Sequence, residues 1–259
     1  MPLTARLTFV SSILPMLISP LAAEAHFQTV IPSADVLPDG GQVTIDLAFT
    51  HPFEGQPVMA MKRPAQVGVL AGGKKTDLTG SLASRKIQDA PAWSLSHALV
   101  EPGAAIFYVA PQPYWEPSEG KYIIHYAKVV VDSFASGEGW DELVGLPVEI
   151  RPLTRPTGVW AGNVFTGVVL KAGEPAPFAT VEVEFMNDGS VSAPNDAFIT
   201  QVLKTDANGT FTYGMPRAGW WGFAALLDGD TTMTSPDGKP APVETGGLIW
   251  VKATEMGAK

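Results

Sequence analysis

The sequence of 259 residues contains no cysteine and comparatively few positive charges. The absence of cysteine excludes disulfides, thiolate nucleophiles, iron–sulfur clusters and cysteine-ligated zinc. The 17 Lys and Arg residues are outnumbered by 26 Asp and Glu residues, which gives a formal net charge of −9. Because phosphate recognition requires a cluster of positive side chains, this balance argues against a nucleic-acid partner.

The first 25 residues have the features of a cleavable signal peptide. One positive charge, Arg6, precedes an apolar stretch, and the run Ala23-Glu24-Ala25 fits the small-x-small rule of signal peptidase. Pro15 and Pro20 interrupt the stretch, which is near the short end for a membrane span, so cleavage is favoured over an anchor. No later segment has the pattern of a transmembrane span. We therefore expect an exported, periplasmic protein from which residues 1–25 are removed.

Cleavage after Ala25 would make His26 the first residue of the mature chain. Its α-amine and its imidazole could then close a chelate ring around one metal ion, and both lose their protons near neutral pH. Cleavage after Ala23 would instead place His26 third, where the amine, backbone amides and imidazole could enclose Ni(II) or Cu(II) in a square plane. The alternative is that His26 follows the signal peptide by chance.

The remaining sequence predicts an all-β protein. It contains 26 Gly and 23 Pro residues, too many for a helical bundle. Residues 42–49 alternate polar and apolar side chains, as expected of a half-buried strand, and further short strand-like runs follow at intervals separated by Gly, Pro, Asn and Asp turns. We expect two tandem β-sandwich domains, at residues 26–152 and 157–259, with a proline-rich linker at 151–156.

All four histidines lie in the predicted first domain, which indicates a nitrogen-rich site for Ni(II), Co(II), Cu(II) or Zn(II). His51 follows a predicted strand directly, where loops commonly present ligands, and His125 lies within a strand-like run. Glu116 could serve as a ligand or as the acceptor for a histidine ring N–H. His97 has the weakest local signal. For each histidine taken alone, an ordinary surface or half-buried position remains open.

Enzyme motifs are not found in the sequence. It lacks the Gly-x-Ser-x-Gly elbow, a phosphate-binding loop and the His-Glu-x-x-His pattern of zinc peptidases. Glu182 and Glu184 are expected to be solvent-facing strand residues and not a glycosidase pair. The sequence therefore predicts a protein that is not an enzyme and has no catalytic residues.

Seven stretches together resemble the periplasmic nickel/cobalt-uptake proteins that accompany energy-coupling-factor-type transporters, within a family long labelled as a domain of unknown function. These are residues 25–27 (AHF), 49–54 (FTHPFE), 74–79 (KKTDLT), 113–117 (PYWEP), 122–131 (YIIHYAKVVV), 204–211 (KTDANGTF) and 218–224 (AGWWGFA).

The resemblance implies a protein that captures Ni(II) or Co(II) as cargo, or assists its delivery to a membrane transporter component. It also implies β-sandwich domains, the second similar to transthyretin-like or carboxypeptidase-regulatory-like domains. The family pattern carries over to His26, His51 and His125, whereas His97 occupies a position expected to be variable or aromatic.

Three alternatives remain open from the sequence. A copper-handling protein is possible because an amine and imidazole chelate also suits Cu(II), and intrinsic affinity favours copper over nickel. A copper enzyme that begins with a histidine brace is a second alternative. A third is a carbohydrate-binding or adhesion module without metal, in which the aromatic residues carry the function.

Overall fold

The computed structural model describes residues 26–55 and 57–257, in which β-strands predominate. The predicted signal peptide at 1–25 lies outside the described residues. Helix within the described chain is limited to two short 3-10 turns, η1 (Thr79–Ser81) and η2 (Asp196–Phe198), and no described helix has the length and apolar character needed to span a membrane. The prediction of an all-β sandwich protein is confirmed.

In chain order the strands are β1 (Phe27–Pro32), β2 (Val36–Leu37), β3 (Gly41–Thr50), β4 (Val58–Met59), β5 (Gln66–Ala71), β6 (Lys74–Asp77), β7 (Ala83–Ile87), β8 (Ala90–Leu99), β9 (Gly103–Ala110), β10 (Tyr114–Glu116), β11 (Lys121–Ser133), β12 (Val148–Pro152), β13 (Val159–Trp160), β14 (Val164–Lys171), β15 (Glu174–Pro175), β16 (Thr180–Phe185), β17 (Gln201–Lys204), β18 (Thr210–Gly214), β19 (Gly219–Asp228), β20 (Met233–Thr234), β21 (Pro240–Ala241) and β22 (Val243–Thr254).

The first sandwich packs a five-stranded sheet against part of a much larger one. The smaller sheet has the order β1-β3-β8-β7, with β4 added to β3. Along β3, Val43, Ile45 and Leu47 are fully buried while the residues between them are more exposed, so the predicted alternation is observed. Their partners in the core include Phe107 from β9 and Val129 from β11.

The larger sheet runs without interruption through both halves of the chain. Its order is β17-β16-β19-β22-β11-β9-β5-β6, with β2, β10 and β13 attached to its sides. The halves meet where β11 and β22 pair in parallel, from Tyr122 opposite Val243 to Val129 opposite Trp250. Trp250 on β22 is accordingly part of the first core, where its ring contacts Phe27.

The second sandwich uses the other face of this sheet. A four-stranded sheet, β12-β14-β15 with β18 added to β14, covers β16, β19 and β22. Strand β12, at the end of the predicted first domain, pairs with β14 of the second. The boundary at residues 152–157 and the transthyretin-like character of the second half remain predictions.

Two features fix the junction between the halves. Trp221 is buried in the second core, whereas Trp220 on the opposite face packs against the first, as the alternation of strand side chains requires. Lys128 on β11 forms an ion pair with Glu149 on β12 at 2.6 Å, and both side chains are almost completely buried. Glu149 also accepts hydrogen bonds from the backbone N–H groups of residues 144–146, so its carboxylate is well satisfied.

Candidate metal centre

Strand pairing brings His26 and His51 together from opposite ends of two strands. His26 immediately precedes β1 and His51 immediately follows β3. Because the antiparallel register places Phe27 opposite Thr50, the flanking histidines become neighbours. The centroids of their rings are 4.7 Å apart.

His125 approaches the same place from the opposing sheet. It lies on β11, and its ring contacts that of Phe49 on β3 with centroids 6.1 Å apart. The Phe49 ring in turn stacks on His26. Three histidines from separate parts of the chain are thus brought together, with His26 and His125 in contact with Phe49 and His51 in contact with His26.

The cluster is withdrawn from water. The exposed fractions are 8% for His26, 4% for His51, 2% for His125 and 7% for Glu116. Burial lowers the pKa of His26, and the neighbouring His51 and His125 lower it further, against the opposing effect of Glu116. A lowered pKa keeps the His26 ring neutral at pH 7, and neutral imidazole is the form that binds metals.

Glu116 orients the ring of His26. Its Oε2 lies 3.0 Å from Nε2 of His26, while its Oε1 accepts hydrogen bonds from the hydroxyl and the backbone N–H of Ser118. Burial raises the pKa of Glu116, but the Ser118 hydrogen bonds and His26 outweigh burial and lower it overall. The carboxylate is therefore ionised near pH 7 and accepts the Nε2–H of His26, which leaves Nδ1 of that ring as the acceptor.

Glu244 does the same for His125, from the second half of the chain. Its Oε1 lies 3.0 Å from Nε2 of His125, and its Oε2 accepts a hydrogen bond from Nζ of Lys121 at 2.6 Å. Burial raises the pKa of Glu244, but the hydrogen bonds and charges of His125 and Lys121 outweigh it and lower the pKa to about 2. Nε2 of His125 is thus the protonated nitrogen.

The other ring nitrogen of His125 is an unusual atom. Nδ1 is buried and has no hydrogen-bond partner among the described residues. A buried polar atom without a partner is costly and rare in folded proteins. The ring lies against Gly246 on β22, where an added Cβ would be 2.5 Å from its Cδ2. The missing side chain at Gly246 therefore makes room for the His125 ring.

The loop that carries His51 is anchored on the second half. The backbone N–H of Phe53 donates to Oε2 of Glu184 at 3.1 Å, and the hydroxyl of Thr200 donates to Oε1 at 2.5 Å. The backbone N–H of Asn187 donates to the carbonyl of Pro52. Glu184 on β16 therefore fixes the loop position from across the junction.

The expectation that Glu184 faces solvent is wrong, since its exposed fraction is 1%. Its side of β16 continues the core face of the first sandwich, and the His51 loop covers it. Burial raises its pKa to about 7 despite the hydrogen bonds from Thr200 and Phe53. Glu182, two residues earlier on the same face, also has a pKa of about 7, raised by burial and then by Glu244.

His97 does not join this cluster. It lies on β8 opposite Val43, at the far end of β3 from His51. Val43 and Thr50 are seven steps apart along the extended strand, a distance of about 23 Å. The His97 ring packs edge-on against Phe107, and burial lowers its pKa. The structure therefore brings together four of the five predicted site residues, His26, His51, His125 and Glu116.

The donor set fits a divalent transition metal, although the rings are not yet arranged around one. When two imidazoles bind one ion at about 2.0–2.1 Å, their centroids lie about 5 Å apart, close to the His26–His51 separation. As the side chains stand, no group of three or more His, Asp and Glu in residues 26–55 and 57–257 is placed to hold an ion. Joint binding by the three rings therefore requires side-chain rotation.

Residues 23–229 match the family described as a domain of unknown function (DUF4198). The chain belongs to this family. The match carries no statement about nickel, cobalt or transport. No protein of curated function matches the chain significantly.

Solved structures resemble the chain only loosely. An I-band fragment of titin is 11% identical, with 89% of this chain and 66% of the fragment covered and a TM-score of 0.23. PorU from Porphyromonas gingivalis is 11% identical, with 88% of this chain and 20% of PorU covered and a TM-score of 0.22. BcpA, the major pilin subunit of Bacillus cereus, is 10% identical, with 90% of this chain and 68% of BcpA covered and a TM-score of 0.18. The chain thus spans under two thirds of the first two proteins.

Proposed function

We propose that this protein captures a divalent transition-metal ion, Ni(II) or Co(II), in the periplasm and delivers it to a membrane transporter component. The observation that carries the proposal is the convergence of His26, His51 and His125 in one buried place, although they lie far apart in the sequence. Imidazole nitrogens are suitable ligands for these borderline metals. In this proposal the metal is cargo, and the protein is not an enzyme.

The hydrogen bonds of the cluster indicate which nitrogens would bind. Glu116 accepts a hydrogen bond from Nε2 of His26, and Glu244 accepts one from Nε2 of His125. Nδ1 of each ring is therefore left for a metal. Carboxylates that accept the second ring N–H of a metal-binding histidine commonly fix its tautomer and increase its basicity. Glu116 therefore acts beside the metal and not on it.

Removal of residues 1–25 would add a further donor. His26 would then offer its α-amine together with Nδ1, and these two nitrogens can close a chelate ring on one ion. With His125 and His51, the ion would have an all-nitrogen donor set. Protonation of the α-amine, with a reference pKa of about 7.7, would promote release as the pH falls.

Copper is the second candidate, supported by the same nitrogens. An amine and imidazole chelate also suits Cu(II), whose intrinsic affinity for such sites exceeds that of Ni(II). The alternatives of a histidine-brace copper enzyme and of a metal-free carbohydrate-binding or adhesion module have no specific observation in their favour here.

The proposal is tested by titrating the exported protein, its first residue established by intact mass, with Ni(II), Co(II), Cu(II) and Zn(II) in competition. We expect one ion per chain, with Ni(II) or Co(II) binding weakened at least a hundredfold by His26→Ala, His51→Ala or His125→Ala. His97→Ala is the matched control and should bind like the parent. Absence of stoichiometric binding, or an equal loss in the control, would contradict the proposal.

A further inference from the structure

A cavity adjoins the histidine cluster and has no role in the proposal so far. Its volume is about 220 Å³, and its walls include Met61, Tyr114, Trp115 and Ile123. At about 30 Å³ of liquid volume for each water molecule, it has room for about seven waters or one small organic molecule. Cavities lined mainly by apolar and aromatic side chains with a few polar groups are typical of small-molecule sites.

The cavity and the cluster share walls. Phe49 and Tyr114 both line the cavity, and both contact the ring of His26, with centroids 5.6 Å and 6.0 Å away. His125 also lines the cavity, and its buried Nδ1 lacks a hydrogen-bond partner among the described residues. A molecule in the cavity would therefore lie directly beside His125, with Phe49 and Tyr114 shared between the cavity and His26.

The charged group at the cavity indicates the sign of its occupant. Lys62 belongs to the lining, is exposed and forms no ion pair within the described part of the chain. None of the described lining residues is acidic. An anionic molecule with a flat apolar body suits this combination of aromatic walls and the Lys62 ammonium group.

We infer that the metal is held together with a small organic chelator in this cavity, an aromatic or heterocyclic carboxylate of about ten non-hydrogen atoms. Its ring packs against Tyr114 and Phe49, whose own rings are in edge-on contact with centroids 5.1 Å apart. Its chelating nitrogen and oxygen complete the coordination that the histidines leave open. Lys62 neutralises its carboxylate. The inference rests on the proposed function, and it changes the cargo from a bare ion to a metal chelate.

Native mass spectrometry of the mature protein tests this with two probes, picolinate and L-histidine. Each probe is mixed with the protein in the absence of Ni(II) and in its presence. A further mixture contains the protein and Ni(II) without a probe. We expect a complex of one protein, one nickel and one probe for at least one of the two, and no binding of either probe without nickel. In this arrangement the intensity of the ternary complex should exceed that of the nickel-only complex.

Two substitutions locate the probe. Ala60→Trp places an indole at the cavity wall from an exposed position, and we expect it to reduce the ternary complex at least tenfold while nickel alone still binds. Ala71→Trp, at an exposed alanine outside the lining, is the matched control and should behave like the parent.

The outcomes separate the two proposals. Nickel bound without either probe in every mixture, probe bound equally well without nickel, or equal effects of Ala60→Trp and Ala71→Trp would each overturn the chelate inference and leave metal capture standing. Failure to detect nickel in any mixture would instead overturn the proposed function itself.

Discussion

The two halves of the molecule contribute different chemistry to one site. All four histidines lie before residue 126, and the second half contains none. Yet the second half supplies Glu244, which holds the His125 ring, and Glu184, which anchors the His51 loop. The candidate ligands thus come from one half, while much of their orientation comes from the other. Parallel pairing of β11 with β22 makes this division possible.

The largest expected effect comes from breaking the ion pair at the junction. Lys128→Ala would leave the carboxylate of Glu149 buried without its counter-charge, and loss of one partner of a buried pair costs about 3–5 kcal/mol. We expect a decrease of this size in the free energy of unfolding, measured by urea denaturation.

The control is Lys171→Ala, which removes a more exposed pair with Asp230 and should cost less than about 1 kcal/mol. Similar losses in the two variants would show that the buried pair has no special part in joining the halves.

The second prediction separates the role of a metal ligand, His125, from that of the residue that orients it, Glu244. Glu244→Gln keeps a polar group at the position but removes the charge that holds His125, and loss of such a partner reduces metal affinity about 10–100-fold. Isothermal titration calorimetry with Ni(II) measures the change. Glu174→Gln, an exposed glutamate of the second half, is the matched control and should leave the affinity unchanged. An unaltered Ni(II) affinity in Glu244→Gln would show that the second half does not contribute to the site.

The third effect is a dependence of stability on pH that originates in the second half. The pKa of Glu182 is raised to about 7 in the folded state from an ordinary value near 4.5. The folded protein therefore holds more protons between pH 4.5 and 7, and the Glu182 contribution to stability declines as the pH rises through this window. Glu182→Gln removes the ionisation, and we expect it to stabilise the protein by about 1–2 kcal/mol at pH 8 and by almost nothing at pH 4.

Urea denaturation of the metal-free protein at both pH values measures this difference. Glu174→Gln again serves as the control, with no pH-dependent gain. A gain for Glu182→Gln that is the same at pH 4 and pH 8 would show that ionisation of Glu182 is not its cause.

The smallest expected effect concerns the His51 loop. Glu184→Gln can no longer accept both hydrogen bonds with carboxylate oxygens, and a single hydrogen bond contributes about 0.5–1.5 kcal/mol. We expect faster hydrogen exchange at the Phe53 amide and a loss of nickel affinity of about threefold. Unchanged protection of that amide would contradict the anchoring role of Glu184.

Much of the fold could be predicted because strand patterns are local. The alternation at residues 42–49 corresponds to β3, and the opposite faces of Trp220 and Trp221 follow from strand geometry alone. The parallel pairing of β11 with β22 could not be predicted in this way, since it joins segments more than a hundred residues apart. No local pattern specifies such a partner.

The candidate site could be predicted in part, because its histidines can be identified from the sequence alone, whereas their hydrogen-bond partners cannot. Residue types and a family resemblance single out His26, His51 and His125, but they cannot say which ring nitrogen is left for a metal. That depends on Glu116 and Glu244, one of which comes from the distant half. Glu184 was wrongly expected to face solvent because alternation assigns a side chain to a face without indicating what covers that face.

The most direct test of the account is nickel K-edge X-ray absorption on the mature protein loaded with one equivalent of Ni(II). Imidazole rings give a characteristic outer-shell scattering pattern, so their number around the metal can be fitted. The account predicts three imidazoles, falling to two in His125→Ala and remaining at three in His97→Ala. A spectrum with no imidazole scattering, or one that changes with His97→Ala and not with His125→Ala, would contradict it.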